Sequence, residues 1–361
     1  MMLSQNACRH ADACRFCWMC RHLCPVGLKT GREVNTPRAK GLLLSMVERS
    51  SAEYTADMAQ AMYECMLCDA CTNDCATGYE PPLYIREART QAAVEGLLPV
   101  PVQAVLDKIK NTGNIYGMQK PSYGIGNKAD VLLYIGEVAA CAEPGMVRAY
   151  MDLLSKAGVD FMVLDSEPAS GTMLGDLIGF VAEVQAQAKN CADTMNSAGA
   201  AMVVVLDSYD AVTFTQRYPE WGCALRAPVV TATAYLARLL ESGKLAFKQQ
   251  QGVVSYHDDS RLARTLHEFE PARKLLAAMG LEVREMFQNR RLAKCCGTSL
   301  AKAYMPDLTK LTAEGRWEDF VRVEGVDTLV AANPQAIEVL SMAVPAGKKL
   351  ADLYTLLNGA C

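Results

Sequence analysis

Fifteen cysteines dominate the chemistry open to this 361-residue chain, and eight of them stand in two runs of identical spacing. The first is Cys14-x2-Cys17-x2-Cys20-x3-Cys24, followed by Pro25, and the second is Cys65-x2-Cys68-x2-Cys71-x3-Cys75, followed by Ala76. Three thiolates separated by two residues each can wrap one face of an iron–sulfur cube in a tight loop. The fourth points away from that loop and, in chains with two clusters, ligates the other one. On that pattern one cluster takes Cys14, Cys17, Cys20 and Cys75, and the other takes Cys65, Cys68, Cys71 and Cys24. The rival reading is a pair of zinc sites, since C-x2-C also suits zinc, although zinc modules usually separate their cysteine pairs. Cys8, His10 and His22 fall outside both sets and read as loop residues. A cubane with four cysteine ligands moves single electrons and has no open position for bond chemistry.

Composition narrows the setting. Nine cysteines fall in the first 75 residues and six in the remaining 286, which is unlike a small disulfide-stapled domain. Lys plus Arg number 36 against 40 Asp plus Glu, a net charge of −4 with no nucleic-acid footprint. No apolar run approaches the ~20 residues of a membrane span, which leaves peripheral association as the only membrane contact to expect. An N-terminus without an apolar segment argues against secretion and for a reducing, cytoplasmic setting.

The elements that must position these residues divide the chain. Residues 1–95 form the cysteine-rich head. The 40 residues between Cys24 and Cys65 include a largely helical stretch from Pro37 to Tyr63. That length fits a helical variant of the two-cluster bacterial ferredoxin rather than its compact form. Residues 96–127 read as a linker rich in Pro and Gly, carrying a short helix at Val100–Asn111. From Lys128 short apolar runs alternate with amphipathic ones, the β–α alternation of a parallel sheet. Strands are expected at Val131–Ile135, Val159–Leu164 and Met202–Leu206, then at Val253–Tyr256, Glu282–Met286 and Thr328–Ala331. A helix is expected over Leu174–Ser197. Gly171 to Asp207 and Gly297 to Asn333 both span 36 residues, and Leu153–Asp160 matches Leu275–Glu282. These matches predict a duplicated α/β unit, with repeats at 128–245 and 246–345 and a C-terminal tail at 346–361. The fold class is therefore a helical two-cluster ferredoxin-like head followed by a duplicated parallel α/β tail. Gly124-Ile125-Gly126 precedes a strand instead of following one, so it is no dinucleotide loop.

At Tyr256-His257-Asp258-Asp259 and Cys295-Cys296-Gly297 the chain resembles the cysteine-rich "CCG" domain proteins. These include heterodisulfide reductase subunits, the iron–sulfur subunit of glycolate oxidase and the C subunit of anaerobic glycerol-3-phosphate dehydrogenase. Many join a two-cluster head to two CCG repeats, so the resemblance covers essentially the whole chain. In that family each repeat carries an early cysteine, then Cys-Cys-Gly, then a late Cys-x-x-Cys. Here the second repeat keeps only Cys295 and Cys296. Ser260 stands at the early position, and Asn333 and Ala336 flank Pro334 at the late one. In the first repeat Ala169-Ser170-Gly171 replaces Cys-Cys-Gly, Asp207 and Asp210 occupy the late pair, and Cys141 is at most a relic of the early cysteine. The resemblance thus implies an eroded second redox site, with His257, Cys295 and Cys296 as its remnant. Cys191, Cys223 and Cys361 read as ordinary thiols.

The resemblance implies an electron-transfer subunit whose two [4Fe–4S] clusters relay electrons between a FAD-containing dehydrogenase subunit and a further carrier, with the flavin on the partner. Two other functions stay open: catalysis at a CCG cluster, as in heterodisulfide reductase, and an assembly module with structural clusters. Residues 1–50 hold eight Lys or Arg against three acidic residues and residues 51–100 hold two against eight, a polarity that could steer partners. An oxygen-labile head would suit an anaerobic or facultative organism.

Overall fold

The computed structural model describes residues 3–14, 17–125 and 128–361. Gly126, the end of the rejected glycine run, lies outside them. The chain forms two compact units. The first comprises Met1–Gly117, Met173–Val184 and Lys294–Arg316, and the second Met118–Thr172, Gln185–Ala293 and Trp317–Cys361.

The first unit is helical. Its main helices are Gln5–Asp12, Pro37–Glu48, Ala56–Tyr63, Pro81–Val94 and Val100–Thr112. Local chemistry sets their ends. Thr36 Oγ1 accepts from Ala39 N at 3.3 Å ahead of Pro37, a residue whose fixed φ suits the first helical position. Thr55 caps the next helix in the same way. Left-handed Gly113 stops Val100–Thr112. Leu44, Met62, Tyr84, Ile85 and Ala88 form the centre of the core, all fully buried. Gly41 lets Tyr79 in: Tyr79 Oη donates to Pro37 O at 2.8 Å, and a Cβ on Gly41 would collide with that hydroxyl.

The second unit holds two four-stranded sheets, all of whose strand pairs are parallel. Strands β1 (Val131–Tyr134), β2 (Phe161–Met162), β3 (Met202–Val205) and β4 (Val229–Thr231) lie in the order β2-β1-β3-β4. Strands β5 (Val253–Tyr256), β6 (Glu282–Val283), β7 (Thr328–Ala331) and β8 (Lys349–Asp352) repeat it as β6-β5-β7-β8. The registers correspond, with Tyr134 beside Val205 and Tyr256 beside Val330. Central strands β1 and β3 are almost continuously apolar because helices cover both faces of a parallel sheet. Helix Leu353–Ala360 packs on Pro144–Lys156, with Tyr150 and Tyr354 edge to face at 5.0 Å. Correspondingly, Ala232–Glu241 packs on Glu270–Ala278, so the two sheet-and-helix sets exchange their last helices.

Several elements depart from the sequence reading. Residues 346–361, read as a tail, form β8 and the helix Leu353–Ala360. The helix expected over Leu174–Ser197 is two helices, Thr172–Ile178 and Ala182–Ala198, because Gly179 adopts φ 72° where a Cβ would press on Thr90 and Arg86 O.

Candidate metal centres

The second cysteine run lies between helices Ala56–Tyr63 and Pro81–Val94 and includes the short helix Ala70–Asn73. Its backbone is kinked at Leu67 (φ 49°) and Asp69 (φ 60°), two of only six non-glycine residues with left-handed backbone among those described. Trp18 (φ 69°) is a third, and it follows Cys17 as Asp69 follows Cys68. Such conformations are costly away from glycine and persist where a surrounding site demands them. The residue after the second cysteine thus has the same left-handed backbone in both runs.

The loops draw the thiols into two groups. The thiols whose charges bear on Cys71 are Cys68, Cys65 and Cys24. Those that bear on Cys20 are Cys14, Cys17 and Cys75. Each group thus joins three cysteines of one run to the fourth of the other. Among the described residues no three such side chains close to the spacing that a single metal ion would require.

The two groups differ in surroundings. Cys68 and Cys71 are buried and Cys24 and Cys65 half-buried, whereas Cys17 is exposed and Cys14, Cys20 and Cys75 are half-buried. Burial pushes the Cys71 thiol well up, reinforced by Cys68, Cys65 and Cys24. Burial likewise raises Cys24 to about 12 against the Gly27 N–H, which donates to Cys24 Sγ at 3.4 Å. Cys20 rises to about 11, again through burial. Cys75 is the opposite case. Burial raises it, but the Thr77 hydroxyl, 3.2 Å away, and the N–H groups of Thr77, Tyr79 and Gly78 together hold it below the ordinary value.

A pocket lined by Cys24, Cys65, Cys68 and Cys71 also receives Lys40, which is 1% exposed. Its ammonium donates to Val34 O at 3.1 Å. A buried ammonium with only a carbonyl as partner is expensive unless an anion lies nearby. Four sulfurs in one buried pocket beside a buried cation fit an anionic thiolate cluster. When bound, such a cluster would supply one-electron chemistry.

Arg89 braces this pocket. Its guanidinium donates to Met62 O (3.1 Å), Cys65 O (2.8 Å) and Asp176 O (2.7 Å), and lies 4.9 Å over the Tyr63 ring. Tyr63 Oη donates to Leu177 O at 2.8 Å. Sequence reading missed both cations, since each lies in a helix where a lone Lys or Arg ordinarily faces water.

Cys295 and Cys296 are buried, free of disulfides, and part of the first unit. Gly297 N donates to Cys295 Sγ at 3.3 Å, and Thr312 Oγ1 donates to Cys296 O at 2.8 Å. The helix after them, Ser299–Tyr304, ends on Tyr304, whose hydroxyl donates to Tyr63 O at 3.1 Å. This segment thereby packs against the helix that leads into Cys65. His257 belongs to the second unit, buried after β5, with its N–H on Val330 O at 2.8 Å. Asp258 is held by Arg273 through both nitrogens, at 2.8 and 2.9 Å. Asp259 accepts from Ser208 Oγ at 2.6 Å.

The positions where the CCG family places further cysteines hold polar pairs in the second unit. Asp207 accepts from Asn333 Nδ2 (3.1 Å) and Gln335 Nε2 (2.9 Å), and Asp210 accepts from Ser170 Oγ (2.6 Å). Ser260 Oγ accepts from Arg264 at 2.7 Å. Burial raises the carboxyl of Asp207, and the charge of Asp210 adds to it. Asp210 is raised by burial too, against the Ser170 and Thr172 hydroxyls. Both follow β3, at the end of the sheet where parallel α/β folds place ligands.

Residues 10–79, which span both cysteine runs, match the family described as the 4Fe-4S dicluster domain. This is an iron–sulfur protein. Across nearly its whole length it is similar to several curated proteins, among them the following three. A "Probable membrane-anchored ferredoxin" of Chromohalobacter salexigens is 25% identical over 92% of this chain and 57% of its own. The D subunit of the dihydromethanophenazine:CoB–CoM heterodisulfide reductase of Methanosarcina acetivorans is 26% identical over 90% of this chain and 86% of its own. The EtfAB:quinone oxidoreductase of Syntrophomonas wolfei is 23% identical over 90% of this chain and 53% of its own. The iron–sulfur protein thus spans little more than half the length of two of these relatives. Its kinship with the CCG-domain iron–sulfur proteins stands on the dicluster match and on the heterodisulfide reductase relatives together. Among the described residues no helix is long and apolar enough to cross a membrane.

Proposed function

We propose that this iron–sulfur protein is an electron-transfer subunit of an oxidoreductase complex. It carries two [4Fe–4S] clusters, one on Cys14, Cys17, Cys20 and Cys75 and one on Cys24, Cys65, Cys68 and Cys71. The clusters take electrons singly from a FAD-linked dehydrogenase subunit and hand them to a downstream carrier in the cytoplasm or at a membrane surface. The observation that supports it most is the pocket lined by Cys24, Cys65, Cys68 and Cys71, three cysteines of one run with the fourth of the other. The names of the relatives, a ferredoxin and two oxidoreductases, support the same reading.

On this reading the head 1–95 is the redox module, the segment to residue 127 is a linker, and the repeats from 128 and 246 are a scaffold for partners. The matching strand orders of the two sheets support descent from one duplicated unit. A second reading, heterodisulfide-reductase-like catalysis at Cys295 and Cys296, is favoured by the Methanosarcina relative. Against it, the adjacent pair offers two thiols where a cubane needs four.

Anaerobic purification from the native host, with flavin and partner analysis, tests the relay. A flavoprotein that co-purifies and reduces the clusters on addition of its own substrate supports it. Clusters that stay oxidised with that partner and its substrate, yet turn over a disulfide substrate, would favour catalysis instead.

A further inference from the structure

We infer that Lys40 sets the reduction potential of the cluster held by Cys24, Cys65, Cys68 and Cys71, and does so selectively. The inference rests on the ligand assignment proposed above. It stands first on position. Lys40 shares the pocket wall with all four sulfurs and is buried to 1% exposure. The charges that act on it include Cys65, Cys24, Glu64 and Arg89.

The other charged groups at this pocket are already engaged. The Glu64 carboxylate accepts from Asn35 Nδ2 and lies 4.0 Å from Arg32. Arg89 spends its guanidinium on backbone carbonyls, among them Met62 O, Cys65 O and Asp176 O. Lys40 has one neutral acceptor, Val34 O. The Arg89 charge also bears on Cys65, but of the two cations only Lys40 borders the pocket lined by all four sulfurs.

The step it governs is simple. A cluster held by these four thiols would gain one negative charge on taking an electron from a reduced flavin of the partner, with no bond broken and no proton moved. A fixed positive charge in the same desolvated pocket favours that reduced form, because low dielectric strengthens the attraction. Solvent exposure and net charge are among the factors that set such potentials. Among the described residues no cation buried like Lys40 borders the other thiol group. Its Cys17 is exposed, and the nearby Arg38 is committed to Glu33 at 2.8 Å and to the Trp18 ring at 4.0 Å. Water and salt screen what remains. Lys40 thus acts as a positioning charge for the interior cluster, keeping it reducible despite its burial.

The test is an anaerobic redox titration, followed by electron paramagnetic resonance, of the full chain as wild type, Lys40→Met and Lys40→Arg. The signal altered in Cys71→Ser marks the interior cluster. At the wild-type midpoint, Lys40→Met should lower the reduced-to-oxidised ratio of that cluster by roughly tenfold, about 59 mV for one electron. The other cluster should change by less than about twofold, and Lys40→Arg should stay near wild type. Loss of the interior cluster in Lys40→Met but not in Lys40→Arg would make Lys40 a requirement for holding the cluster rather than a determinant of its potential, and would overturn the inference. Equal shifts in both clusters, no shift in either, or loss of the cluster in both variants would overturn it. Wild-type protein without two cluster signals would instead remove the ligand assignment beneath it.

Discussion

Asn333 donates a 3.1 Å hydrogen bond to Asp207, and the two residues hold the same place in the two repeats. Each directly follows a central strand's C-terminal end region, and each caps the next helix. Asp207 accepts from Tyr209 N at 2.9 Å, and Asn333 accepts from Gln335 N at 2.8 Å. CCG proteins put late cysteines at these places. Here an acid and an amide meet across the repeats instead, and Ser208 with Asp259 adds a second such link at 2.6 Å. Sites that would hold sulfur have become a polar lock within the second unit.

The lock predicts a stability cost. Asn333→Ala removes a helix cap and leaves Asp207 short of a buried donor, together about 1–3 kcal/mol. Urea denaturation should show a lower midpoint with the cluster signals of the folded protein unchanged. An unchanged midpoint would mean that the contact carries no net stability.

Asp207 and Asp210 predict a pH dependence. Both carboxyls are raised, chiefly by burial. A raised carboxyl binds its proton more tightly in the folded state. The stability it contributes is therefore complete below the ordinary Asp value of about 3.9 and is lost as pH climbs through the raised values. Melting temperature should fall over that range in wild type, and fall less in Asp210→Asn, which cannot ionise. Parallel profiles for the two proteins would contradict the assignment.

Arg89 carries a larger load. Arg89→Met strands the buried carbonyls of Met62, Cys65 and Asp176, at about 1–3 kcal/mol for each acceptor left unsatisfied. Lys should not replace it, because one ammonium cannot reproduce the fork that reaches Met62 O, Cys65 O and Asp176 O. Absorbance of the purified variants should show preferential loss of the cluster that uses Cys65. Equal loss of both clusters would point to general unfolding.

Cys295 and Cys296 predict a null result with content. The double variant Cys295→Ser, Cys296→Ser should keep its full iron, because the pair is packed within the first unit rather than gathered with other thiols into a four-sulfur set. A drop of about four irons per chain would reveal an occupied third centre.

How far the sequence could be read follows from how local each signal is. The cysteine runs are legible because ligation depends on spacings of two and three residues. Strands β1, β3, β5 and β7 are legible because burial keeps them largely apolar, with Ser255 in β5 and Thr328 in β7 as interruptions. The edge strands β4 and β8 escaped, β4 having only three residues and β8 being polar at both ends, Lys349 and Asp352. They are defined by pairing with β3 and β7, not by their own pattern. Lys40 and Arg89 look like solvated helix positions until the fold buries them. The Asp207–Asn333 contact joins residues 126 apart in sequence. The assignment of Lys294–Arg316 to the unit with the cysteine runs had no local sign either, since it depends on Tyr304 reaching the backbone of Tyr63.

Whether two crossed clusters exist at all is decided by iron and acid-labile sulfide counted per chain, with the cluster signals, in anaerobically purified wild type, Cys71→Ser and Cys24→Ser. Crossed ligation predicts about eight of each in wild type, and in both variants about four or alteration of the same one of the two cluster signals. Zinc in place of iron, or Cys24→Ser and Cys71→Ser altering different clusters, would contradict it.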